Sequence, residues 1–206
     1  MFSTTSRAGK RARRVLAGGG LTAVVLAASA LAAGVGLTGF LLRSGEQTGY
    51  PVTGKRATQN SIEAYVNYGG GSKKQKRAET AELKKAGFLE AADEQLRASH
   101  GREAFSLVME FSSSAGAQTI AAGLLSNAIK LQGKSAKLSR FTIPGVPSAA
   151  GVVAKAGRVA TANVYWTAGD CAFGSGDYVP KHAGPVSTPV IAGVKALDKR
   201  IYDSCP

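Results

Sequence analysis

Apolar and polar positions are distributed very unevenly along this 206-residue chain. Residues 15–42 form a run of 28 uncharged positions rich in Ala, Gly, Val and Leu, closed by Arg43. As a helix rising about 1.5 Å per residue, the run reaches roughly 42 Å, more than the ~30 Å hydrocarbon core of a bilayer. Past it, residues 43–77 are polar, basic and Gly-rich, with Gly69-Gly70-Gly71 and the charge run Lys73-Lys74-Gln75-Lys76-Arg77. Such composition stays extended and solvated, so this stretch reads as a flexible stalk. Ile62, Tyr65, Val66 and Tyr68 supply at most a short helix or turn within it.

A folded domain is expected over 78–206. Residues 78–86 are strong helix formers, with Gly87 as a natural C-cap. The next segment, 88–97, is balanced between helix by propensity and strand by topology. In 105–111 the pattern is clear, because Phe105, Leu107, Met109 and Phe111 alternate onto one face of a strand. Ser112–Ser114 then offer N-cap oxygens to a helix through about Leu131, with Ala117, Ile120, Ala121, Leu124, Ala128 and Leu131 as its apolar stripe. Strands are predicted over 136–142, 151–154, 159–167 and 171–178, joined by short Gly-containing connections that suit hairpins. Pro189 at a first helical position opens a last helix, whose Val190, Val194, Leu197 and Ile201 share one face. This order predicts an α+β domain with a mostly antiparallel sheet and helices packed on it.

Charge decides orientation. Five cations (Arg7, Lys10, Arg11, Arg13, Arg14) crowd residues 1–14, ahead of the apolar run. That bias predicts a cytoplasmic N-terminus, a single-pass membrane segment over 15–42 in contact with the lipid bilayer, and a C-terminal domain outside. Ala28-Ser29-Ala30 and Ala30-Leu31-Ala32 are small-residue sites for signal cleavage, so secretion after residues 30–32 is the alternative. The ten apolar residues beyond Ala32 favour the uncleaved anchor. Arg13-Arg14 lacks the polar residue that usually precedes a twin-arginine signal. No cysteine precedes Cys171, which argues against a lipid-modified start.

Residues 44–206 carry 20 Lys+Arg against 13 Asp+Glu, a net charge of +7. The excess favours an anionic envelope component or an acidic protein partner, and export excludes nucleic acid. Cys171 and Cys205, the only cysteines, are expected to form a structural disulfide worth roughly 3–4 kcal/mol on the chain-entropy model. No CxxC spacing occurs, and His100 and His182 stand apart from other ligands, so neither a metal site nor a cofactor is expected.

Candidate chemistry is sparse. Gly174-Ser175-Gly176 falls short of a nucleophile elbow, and neither Gly133-Lys134-Ser135 nor the Gly69–Lys73 stretch has phosphate-loop spacing. Adjacent Tyr165 and Trp166 point to opposite faces of a strand; one belongs to the core and the other is a candidate groove aromatic. The chain is expected not to be an enzyme. An envelope hydrolase acting on wall polymers, with His100 or His182 as base, is the catalytic alternative.

Several short motifs carry a resemblance. The Arg-rich start with its Ala/Gly/Val/Leu run, LKKAGF (83–88), MEFSSSAGAQ (109–118) and IPGVPSAAG (143–151) resemble small exported actinobacterial proteins of unknown function, lipoproteins and kinase sensor domains among them. The match spans about residues 80–203. The chain departs from the lipoproteins in lacking their cysteine, and from receptor kinases in lacking a kinase domain. The resemblance implies an extracytoplasmic fold with a non-catalytic binding, sensing or protein-interaction role. A structural accessory subunit of an envelope complex is the further alternative.

Overall fold

The computed structural model describes residues 36–50, 54–98, 101–133, 135–180, 186–201 and 205. Its frame is one seven-stranded sheet in the order β1-β2-β3-β7-β6-β5-β4. The strands are β1 (Lys55–Gln59), β2 (Phe88–Arg97), β3 (Glu103–Phe111), β4 (Lys137–Thr142), β5 (Ala150–Ala156), β6 (Val159–Ala168) and β7 (Cys171–Pro180). Every neighbouring pair is antiparallel. Four helices complete the α+β fold: α1 (Ile62–Gly69), α2 (Lys73–Ala86), α3 (Ser114–Lys130) and α4 (Ser187–Ile201).

Two apolar cores lie on the two faces of the sheet. On one, Phe105, Leu107, Met109 and Phe111 of β3 meet Ile62 and Val66 of α1, Leu83 of α2, and Ala117 and Ile120 of α3. The alternation expected for β3 is therefore what buries this face. On the other, Val108, Trp166 and Phe173 pack against Val190, Val194, Leu197 and Ile201 of α4. Segment 88–97 is a strand despite its helical propensity. Pairing with β1 on one side and β3 on the other outweighs the intrinsic preference of its Ala, Glu and Gln residues.

The N-terminal half of the domain corrects two expectations. Residues 43–77 are not a flexible stalk: β1 joins the sheet, α1 packs Ile62 and Val66 into a core, and α2 begins at Lys73. Pairing of β1 with β2 and burial of Ile62, Val66, Leu83 and Ala86 hold this stretch in place, and Ser72 and Gln75 form a capping box that satisfies the first turn of α2. The end of the apolar run also belongs to the domain. Leu37, Leu41 and Leu42 are buried among Val108, Trp166 and Leu197, so the domain takes in the described chain from Gly36 onward rather than beginning at residue 78. Their side chains are taken up by protein and are not free to face lipid. Residues 1–35 lie outside the described residues; among those described, no helix is long and apolar enough to cross a membrane.

Candidate functional site

Segment 36–50 lies over a row of polar side chains on the α4 face. Ser175 of β7, Ser106 of β3 and Glu94 of β2 stand side by side in register, and all three are buried. The Leu42 N–H donates to Ser106 Oγ at 3.0 Å. Ser175 Oγ donates to the Gln47 side-chain carbonyl, and Gln47 Nε2 donates to the Gly176 carbonyl at 3.4 Å. One step along β7, Asp177 accepts from Tyr50 Oη and from Arg102 Nη2, the latter at 2.7 Å. The Arg102 guanidinium also lies over the Tyr50 ring, 5.4 Å from its centre. Burial pushes the Asp177 carboxyl above its ordinary range, and the Tyr50 and Arg102 hydrogen bonds oppose that shift. Arg200 in the last turn of α4 holds the other end of the segment, donating to the Gly39 and Leu41 carbonyls and to Glu46.

The opposite face carries a second polar group. Glu79 of α2 is buried, with one carboxylate oxygen lacking a hydrogen-bond partner, and burial pushes it up to about 9. Burial, with Glu79, Tyr165 and Asp93 nearby, raises the Tyr65 phenol. Asp93 accepts from Gln59 and Tyr68, each at 3.0 Å. Tyr165, Gly174, Leu107 and Asp93 form one straight row across four strands. Gly174 and Gly176 leave that face of β7 bare, so the Tyr165 and Phe105 rings lie against the strand. A Cβ on Gly176 would stand only 2.2 Å from the Phe105 ring.

No family model matches the chain, and neither does any curated protein. Among solved structures it is similar to the extracellular domain of PknH from Mycobacterium tuberculosis. The TM-score is 0.48 and the identity 11%, over 79% of this chain and 95% of that one.

The residues singled out in the sequence take clear places. Cys171 and Cys205 form a disulfide with a Cα–Cα distance of 5.6 Å, tying the chain just past α4 to the start of β7. Tyr165 and Trp166 do point to opposite faces, but helices cover both. Tyr165 is 3% exposed and Trp166 is 0% exposed, stacked on Phe173 at 5.2 Å, so neither lines an open groove. Ser175 packs under Gln47 in the centre of the sheet. His100 and His182 lie outside the described residues. Among the described residues, no three His, Cys, Asp or Glu side chains are grouped to hold a metal ion.

Sequence reasoning missed Tyr50, Arg102, Asp177 and Glu79. One signal was present for Glu79: with Leu83 and Ala86 it falls at i, i+4 and i+7, on the buried stripe of α2. Tyr50 gave none, because its partner lies 127 residues away.

Proposed function

We propose that this chain is a membrane-held extracytoplasmic domain with a non-catalytic binding, sensing or protein-interaction role. The observation that carries the reading is the Cys171–Cys205 disulfide, in a chain that opens with a basic segment and an apolar run. Disulfides persist in oxidising compartments, and the basic start orients such a run with its C-terminal side outward. With Leu37–Leu42 assigned to the domain core, residues 15–35 still supply 21 uncharged positions, against the ~20 that span a bilayer. The domain then follows its anchor without a stalk.

The burial of Leu37, Leu41 and Leu42 also favours a second reading. The apolar residues past Ala32 have a structural use, so they no longer argue against cleavage. A chain cut after Ala30 or Ala32 keeps every described residue and is secreted. A topology reporter addresses the compartment: alkaline phosphatase fused after Pro206 is expected to be active and β-galactosidase inactive. The reverse pattern would sink the extracytoplasmic reading.

A further inference from the structure

Between Phe111 and Asp170 the chain has no carboxylate, although it has 13 elsewhere. This stretch folds into α3, β4, β5 and β6, one whole side of the sheet. Its cations Lys130, Lys137, Arg140, Lys155 and Arg158 are all exposed, and among the described residues no ion pair involves them. Lys137 and Lys155 face one another directly across the β4–β5 ladder, a like-charge pairing that costs stability.

Two exposed leucines share the same corner. Leu138 of β4 is 43% exposed, and Leu131, just past α3, is 41% exposed. Leu138, Ala154 and Thr161 form one row across β4, β5 and β6, and the Thr161 hydroxyl bonds the side chain of Gln132, the neighbour of Leu131. Thr161 and Leu138 stand two strands apart, about 10 Å.

β4 is an end strand of the sheet, so among the described residues one side of its backbone has no sheet partner. Lysines on such edges often serve only to block pairing. Blocking does not call for two exposed leucines beside them. At the other edge the pattern differs, since Arg56 of β1 is neutralised by Glu94 at 3.1 Å. A second copy of the chain is a poor occupant, because pairing β4 with β4 sets cations against cations.

We propose that β4 accepts an extended acidic segment of a partner protein as an eighth strand, with its carboxylates on the face of Lys137 and its cross-strand neighbour Lys155, and its apolar side chains on the opposite face, toward Leu138 and Leu131. The proposal deepens the interaction role given above and names its surface. Backbone hydrogen bonds supply the affinity, and the charge pattern selects the sequence.

The test uses the full chain in an uncharged detergent and a fluorescein-labelled ten-residue peptide of alternating Glu and Val, read by anisotropy. Saturable binding is expected, falling with added NaCl and weakening at least tenfold in Lys137→Glu/Lys155→Glu, the pair that shares one face. Leu138→Ser is expected to weaken it by a smaller factor. The same peptide N-methylated at alternate residues keeps its charge but loses its backbone donors, and it should not bind. Circular dichroism and the non-reducing mass check that each variant is folded and disulfide-closed. Equal binding of the N-methylated peptide would overturn strand addition. So would the absence of binding, or retention of the chain on anionic vesicles through the same cations with no peptide effect. A failed reporter fusion would leave these outcomes readable, which separates this proposal from the compartment assignment.

Discussion

Tyr50 donates its phenol hydrogen to Asp177 across 127 residues of sequence, in the interior of the protein. The contact fixes one end of segment 36–50 to the central strand, while Arg200 fixes the other through the Gly39 and Leu41 carbonyls. The end of the apolar run and the residues just past it are therefore part of the fold's foundation. Removing the hydroxyl with Tyr50→Phe is expected to cost about 1.5–3 kcal/mol, the range for a hydrogen bond to a charged group. Urea unfolding measures it. A double-mutant cycle with Asp177→Asn should show coupling between the two sites, and strictly additive effects would contradict the contact.

Leu41 and Leu42 are fully buried beside α4. Leu42→Ala should cost about 2–5 kcal/mol, as expected for a core leucine. A purely lipid-facing leucine would leave the domain's denaturation midpoint unchanged, so the same measurement separates the two locations.

Glu79 gives the fold a pH dependence of defined sign. Its folded value is raised to about 9 by burial, above the ordinary carboxylate value of 4.5. Below pH 4.5 it is protonated in both states and contributes no difference. Between 4.5 and 9 the unfolded chain releases the proton while the folded chain keeps it, so its contribution to stability declines as pH rises. Glu79→Gln should therefore stabilise the domain more at pH 8 than at pH 5. Equal melting-temperature shifts at both values would contradict the assignment.

The disulfide closes 34 residues of chain. Cys171→Ser/Cys205→Ser should lower stability by roughly 3–4 kcal/mol on the loop-entropy model. Calorimetry of the double variant, still folded on its sheet, checks the size of the effect.

How far the fold was legible depended on how local its causes were. β3 announced itself through Phe105, Leu107, Met109 and Phe111, and α4 through Val190, Val194, Leu197 and Ile201, because one buried face leaves a period in the sequence. Residues 88–97 had no such period, since strands on both sides set their structure. The supposed stalk was misread because what orders it is non-local: β1 pairs with β2, and Ile62 and Val66 pack against β3 and α3. Leu37–Leu42 were absorbed into the apolar run because a core segment and a membrane segment have the same composition; only Trp166, Leu197 and Val108 distinguish them. The candidate site was hidden for a different reason. Tyr50, Arg102 and Asp177 come from three distant segments, and no spacing rule joins them.

The proposed arrangement is a disulfide-closed domain held outside the cytoplasm by the segment before Gly36. Its most direct test is the intact mass of the mature protein from membrane and culture fractions, with and without reduction. A full-length, membrane-bound species that gains the mass of two hydrogens when reduced is expected. A species in the medium that starts just after Ala30 or Ala32 would contradict the anchor, and a soluble full-length chain with both thiols free would contradict the compartment.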